Sequence, residues 1–423
     1  KEVITMRESR NLELKETVDT NSFLKTISAY ANFGDGKIIF GIRDDGTVLG
    51  IEHPVDACLR LENKINDAIK PLPSYTLDIN EDQTITLNVL KGPYTPYFYK
   101  GKTYKRNDSA TIEVDRLELN RLILEGSNQT YEEQPSSIQD LTFSQLGKEF
   151  FQKKGVETIT PDILKTLGLM DKNTYNHAAA LVADENRFPG VDIVRYGRNI
   201  NELMERQTYD HMSVFRMYHQ AMEMYRKYYC YEKIEGSQRV QKEMIPKEAF
   251  REALANALVH RTWDIQTRIR ISMDQDKIEI TSPGGLPAGI SEAEYLDGQI
   301  SFLRNPILGN IFFRLAYIEM FGSGIKRIKK AYASYQASPE FKIYDNSITV
   351  VLPVSDTVIE TSADEKTILS NLSSSTLLSR AQLEERTGFS KAKTVRLLHS
   401  LSSKGLVQKS GSGMNTKYRI FKK

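Results

Sequence analysis

The chain has 423 residues, 40% of them hydrophobic and 26% charged, and a formal net charge of only +2. That length allows two to four domains with separate cores, and the composition is that of an ordinary soluble globular protein. Any nucleic-acid surface must therefore come from local clustering rather than bulk charge. Two cysteines, Cys58 and Cys230, stand far apart. They fit a reduced, cytoplasmic setting. The scattered histidines offer no zinc spacing, and neither a signal core nor an apolar run of about 18 residues is present, so membrane insertion is not expected.

In chain order, residues 25–33 read as a helix closed by Gly34-Asp35-Gly36. Then come a strand over 37–42, the turn Asp44-Asp45-Gly46 and a second strand through Ile51, since Asp-Gly between apolar runs signals a hairpin. A helix over 55–69, strands flanking Asn80-Glu81-Asp82, a hairpin at Lys100-Gly101-Lys102 and a helix over 114–124 complete an α+β unit (1–130). Lys91, Lys100, Lys102, Lys105 and Arg106 alternate with Tyr94, Tyr97, Tyr99 and Tyr104. This is the pattern of a surface that meets phosphates and stacks on bases, or of a plain β surface.

Residues 131–245 read as a helical and α/β connector without visible chemistry. It holds a linker at Gln134-Pro135-Ser136-Ser137, a segment over 141–155, a helix start at Thr160-Pro161-Asp162, strands over 178–183 and 191–196, and a long helix over 208–231. The last carries Met212, Phe215, Met217, Tyr218, Met222 and Tyr225, a stripe expected in a core or a homodimer interface.

The next run, Ile245 to Trp263, predicts a helix begun by Pro246. Glu252, Asn256 and His260 recur every four residues and share one face. Because the rest of the helix is apolar, Glu252 and Asn256 need partners, and Mg²⁺ with nucleotide phosphates would supply them. Glu252 would then orient or deprotonate a water. A hairpin over 268–281 delivers Ser282-Pro283-Gly284-Gly285, whose glycines let backbone approach a ligand. Arg304 and Asn305 precede a helix start at Pro306, and Gly322-Ser323-Gly324 before a helix offers an anion site. Residues 347–353 read as the last strand of this 246–355 domain.

Residues 362–423 hold 12 Lys and Arg against 4 Asp and Glu. Three short helices with Asp or Ser caps, a tight Gly388-Phe389-Ser390 junction and a β-hairpin follow one another. Lys391, Lys393, Thr394 and Arg396 fall at the start of the third helix, where base edges are met, and Lys409, Lys417 and Arg419 fall on the hairpin, where the backbone is met. DNA is the expected partner; a protein-contact module is the alternative.

Taken together, Glu252-x-x-x-Asn256, Ser282 to Pro287, Arg304-Asn305-Pro306 and Phe321 to Ile325 resemble the motifs of a divergent bacterial branch of the gyrase, heat-shock chaperone, histidine kinase and MutL (GHKL) ATPases. That branch is often labelled RecG-helicase-like transcriptional regulators. Glu8, Glu13-Leu14-Lys15 and the Ala29 to Gly34 run resemble its Alba-type, Schlafen-like N-terminal domain, and the C-terminal segment resembles a winged helix. The resemblance implies a multidomain α+β protein with a Bergerat-like α/β sandwich in the middle. It implies ATP and Mg²⁺ bound by Asn256, His260, Ser282, Gly284, Gly285, Arg304, Asn305, Gly322, Ser323 and Gly324, with Glu252 catalytic. Ser282 stands where relatives use an Asp for adenine. The expected function is an ATP-binding, DNA-binding transcriptional regulator. A second reading follows eukaryotic Schlafens: Glu8, Glu13 and Asp44 holding Mn²⁺ or Mg²⁺ to cut RNA. A third is a non-catalytic oligomeric assembly protein. No Walker P-loop occurs, which excludes a P-loop helicase motor; weak ATPase activity stays open.

Overall fold

The computed structural model describes residues 7–287, 290–298, 303–319, 324–335, 337–355, 362–373, 376–411, 413 and 416–421. The chain divides into two compact units, Lys1–Tyr131 and Glu132–Lys423.

The first unit is built on a four-stranded sheet in the order Leu12–Lys15, Gly36–Phe40, Ile85–Leu90, Ser74–Ile79. The first two strands pair in parallel, which requires a crossover, and the helix Phe23–Phe33 supplies it. Helix and sheet bury Phe23, Ile27, Tyr30, Ile38, Phe40, Leu87 and Val89 together, with Leu61 and Ile65 of Pro54–Ala68. Asn32, 1% exposed, stitches the unit. Its amide nitrogen donates to the carbonyls of Ser28 (2.8 Å) and Tyr97 (2.9 Å), and its oxygen accepts from the Tyr97 N–H (2.7 Å). The expected second strand through Ile51 is reduced to a single bridge, Ile42 with Val48. The tight turn expected at Lys100-Gly101-Lys102 is present as a single antiparallel bridge, Tyr99 with Lys102, closed by two backbone hydrogen bonds, and a longer hairpin follows between Tyr104–Asn107 and Ala110–Glu113.

In the second unit a six-stranded sheet runs in the order Leu203–Tyr209, Val191–Tyr196, Ile269–Met273, Lys277–Pro283, Ser347–Pro353, Glu340–Tyr344. Along Ile269–Met273, Ile269, Ile271 and Met273 are buried while Arg270 is exposed, the alternation of a strand with one covered face. The helix Lys247–His260 packs on Lys277–Pro283 and Ser347–Pro353 and against helices Val214–Tyr229, Pro306–Arg314 and Gly324–Ala331. Val191–Tyr196 and Leu203–Tyr209 thus bring two strands from the expected connector into the same sheet, because Val191–Tyr196 pairs in parallel with Ile269–Met273. Residues 178–183, expected as a strand, belong to the helix His177–Val182: the run is alanine-rich, and Asn176 caps it by accepting the Ala179 N–H at 3.0 Å. Glu132, fully buried, accepts the N–H groups of Ile307 and Leu308 at the start of Pro306–Arg314.

The C-terminal segment has helices Ala363–Asn371, Arg380–Thr387 and Lys391–Ser403 and a small sheet in the order Leu378–Ser379, Lys417–Ile420, Val407–Ser410. They share a core of Ile368, Leu383, Leu398 and Leu401. Ser362, Ser379 and Ser390 cap the three helices. Glu365 is buried and pairs with Lys404 at 2.8 Å.

Candidate functional site

The helix Lys247–His260 carries the expected triad of positions on one face. Glu252 is 1% exposed, and Asn256 and His260 are half-buried. The Asn256 amide donates to Glu252 Oε1 at 3.4 Å. Glu252 Oε2 is buried and makes no hydrogen bond among the described residues; an Arg327 nitrogen stands 3.7 Å away. Burial pushes the Glu252 carboxyl above its ordinary range, against the opposing pull of Arg327, Arg251 and the Asn256 amide. Gly324, which opens the Gly324–Ala331 helix, lies directly against this pair. A Cβ there would come within 2.5 Å of the Asn256 amide nitrogen and 3.0 Å of Glu252 Oε1.

Beside the helix lies a cavity of about 120 Å³. Asn256, His260, Ser282, Gly284, Gly285, Arg304 and Gly324 all line it, over an apolar wall of Ala257, Ile280, Ile325, Ile348 and Val350. The two glycines after Lys277–Pro283 are needed for close approach. Gly284 has φ +106°, and a Cβ on it would overlap Thr262 Oγ1 at 2.0 Å. A Cβ on Gly285 would sit 2.2 Å from the Asp345 carbonyl oxygen. Arg304 joins the two sides, donating to the carbonyls of His260 (2.8 Å) and Gly285 (2.7 Å), and Ser282 Oγ donates to the Ala257 carbonyl at 3.0 Å. Burial, reinforced by Arg304, pulls His260 down to about 4, so its imidazole is neutral at pH 7.

Asn305 is placed differently from its expected role. It is 2% exposed and its amide donates to the carbonyls of Val259 (2.7 Å) and Arg261 (2.9 Å), bracing the helix end. Gly322 and Ser323 lie outside the described residues. Tyr295, Leu303, Ile318 and Glu319 also line the cavity. No motif in the sequence marked these four positions.

The carboxylates Glu8, Glu13 and Asp44 are not brought together as a metal site. Among the described residues no group of three His, Cys, Asp or Glu is placed to hold a metal ion. Glu13, 4% exposed, pairs with Arg106 at 2.9 Å and Lys15 at 2.8 Å. Glu8 accepts the Leu14 N–H at 3.0 Å, and Asp44 is an exposed turn residue. The aromatic and basic pattern near Tyr97 is likewise resolved by burial. Tyr97, Tyr99 and Tyr104 belong to the core, leaving Tyr94 exposed. Lys91, Lys102 and Lys105 pair with Glu125, Glu113 and Glu118.

In the C-terminal segment Lys391 and Arg396 are exposed on the Lys391–Ser403 helix, with Val395 exposed between them. Thr394 is fully buried and donates to the Ser390 carbonyl. Lys393 pairs with Asp364 at 2.8 Å and lies over the Phe389 ring. Lys409, Lys417 and Arg419 are exposed on the hairpin, Arg419 donating to Gln408.

Residues 8–115 match the family model described as "Schlafen, AlbA_2". Residues 266–352 match the one described as "Putative ATP-dependent DNA helicase recG C-terminal". No curated protein matches the chain in sequence. Among solved structures, the DIP2311 protein from Corynebacterium diphtheriae is similar with a TM-score of 0.53 at 17% identity, over 97% of this chain and 92% of that one. That likeness is one of fold. No helix among the described residues is long and apolar enough to cross a membrane.

Proposed function

We propose that the chain is an ATP-binding, DNA-binding regulator in which nucleotide occupancy modulates DNA contact. The observation that carries this reading is the cavity beside Lys247–His260. Glycines that a side chain would obstruct border it, Asn256 and Arg304 stand on its wall, and Glu252 lies behind with one oxygen that has no hydrogen bond among the described residues. A buried carboxylate oxygen beside an amide, with an arginine 3.7 Å away but no hydrogen bond among the described residues, fits Mg²⁺, which prefers oxygen ligands and keeps several waters. Asn256 would hold the ion, which when bound would neutralise phosphate charge. Glu252 would accept a proton from an ordered water, the raised affinity of its carboxyl for protons favouring a base. The apolar wall of Ile280, Ile348 and Val350 suits a base ring, and the neutral His260 adds no charge to it. A match of 266–352 to a family whose description names ATP and DNA supports the same reading.

For DNA we propose a winged helix over 362–423. Three capped helices and a three-stranded sheet support it, as does the basic excess of the segment. On its third helix the contact residues would be Lys391 and Arg396, with Lys409, Lys417 and Arg419 on the wing. Lys393 and Thr394 would hold the helix in place, given their existing partners. The Alba-type match of 8–115 makes that unit a second candidate nucleic-acid surface. The test is duplex affinity by fluorescence anisotropy at one salt concentration, with and without Mg-ATP. A change in wild type that is absent in Asn256→Ala is the expected result; equal affinity in all four conditions removes the coupling.

A further inference from the structure

Arg327 lies between two carboxylates, the buried Glu252 and the cavity-lining Glu319; it does not itself line the cavity, whose wall at this end is Asn256 and Gly324. It sits three residues beyond Gly324 on the Gly324–Ala331 helix, hence on the face turned toward Glu252. One guanidinium nitrogen is 3.7 Å from Glu252 Oε2, too far for a hydrogen bond; the other is paired with Glu319, which lines the cavity. The guanidinium therefore holds one carboxylate closely and the buried one only through space. Its planar fork of donors matches phosphate oxygens better than this split arrangement. Arg304, by comparison, is anchored on the His260 and Gly285 carbonyls. Glu319, 59% exposed in its side chain, places a negative charge at the rim, which opposes an incoming polyphosphate while Arg327 offsets it.

We propose, resting on the nucleotide-site reading above, that Arg327 makes the site count phosphates: it exchanges Glu252 and Glu319 for the terminal phosphate of a nucleoside triphosphate. A diphosphate lacks that group and leaves Arg327 on the carboxylates. The exchange also withdraws a positive charge from Glu252, the proposed water base, only when a triphosphate is bound.

The test is isothermal titration calorimetry on the full chain with Mg²⁺ and either ADP or a non-hydrolysable ATP analogue. Arg327→Gln is expected to leave diphosphate affinity within about twofold and weaken triphosphate affinity about tenfold. Arg327→Lys should recover part of the loss. Glu319→Gln should tighten triphosphate binding, since it removes a like charge and a competing partner. If wild type binds both nucleotides and Arg327→Gln shifts both equally, or neither, the proposal is overturned. Should Arg327→Gln fail to fold, an unchanged triphosphate-to-diphosphate preference in the exposed variant Glu319→Gln overturns it. Wild type binding neither nucleotide overturns the site reading itself, and the phosphate counting with it.

Discussion

Replacing Glu13 by Ala separates a structural ion pair from a metal ligand. Its carboxylate and the Arg106 guanidinium are each only 5% exposed in their side chains and 2.9 Å apart. Removing one partner leaves the other charge buried, at a cost of about 3–5 kcal/mol. Arg106 keeps its bonds to the Ser9 and Leu12 carbonyls and to Thr111, which places the loss toward the lower figure; Lys15, 24% exposed, can turn to water. For a unit the size of Lys1–Tyr131, 1 kcal/mol corresponds to about 3–5 °C, so its calorimetric transition should fall by about 10–15 °C. The double variant Glu13→Leu with Arg106→Met should recover much of that, because apolar replacement of a buried pair is often neutral or stabilising. A Glu13→Ala transition within about 2 °C of wild type would refute the reasoning. So would a Glu13→Ala protein that melts normally but loses Mn²⁺-dependent RNA cleavage.

Three further outcomes follow from the same contacts. Burial alone would raise the Glu365 carboxyl, but Lys404, Ser400 and the Ser362 N–H outweigh it and hold it at about 2. The stabilisation it gives is present above the ordinary carboxylate range and is lost as pH falls toward 2. Glu365→Gln should therefore cost about 1–3 kcal/mol at pH 7 in denaturant titration, with the difference shrinking in acid. Glu132 moves the other way: burial raises it to about 7 despite two backbone N–H donors. Its contribution is full below the ordinary carboxylate range and declines as pH rises through 7, so the melting-temperature deficit of Glu132→Gln should be smaller at pH 8 than at pH 5. In DNA-binding assays Lys391→Ala with Arg396→Ala should weaken binding and reduce the salt slope by about 2, whereas a loss of slope in Lys393→Ala would contradict the assignment of that side chain to Asp364.

Much of the central helix was readable from its residues. An Ala- and Leu-rich run with Glu252, Asn256 and His260 four apart can only put those polar groups on one stripe, and Lys247–His260 does so. The glycines at 284 and 285 were readable as points of close approach, though not what they approach: Thr262 and the Asp345 carbonyl come from distant chain. Long-range pairing was not readable. Nothing local in residues 191–196 announces a parallel partner at Ile269–Met273, so the sheet extends across what reads as a connector. The alternation of lysine and tyrosine at 91–106 was ambiguous for a related reason. A strand period separates inward tyrosines from outward lysines, but the acids that neutralise the lysines, Glu113, Glu118 and Glu125, lie on other elements. The same holds for Glu13, whose partner Arg106 is 93 residues away.

The central claim is that Asn256 and the glycine-bordered cavity bind a magnesium nucleotide. The most direct measurement is the thermal unfolding of wild type and Asn256→Ala with and without Mg-ATP. At a ligand concentration about 100 times Kd, binding adds about 2.7 kcal/mol to the folded state, so wild type should melt at a distinctly higher temperature with nucleotide and Asn256→Ala should not. Equal shifts in both proteins, or none in either, would contradict the account.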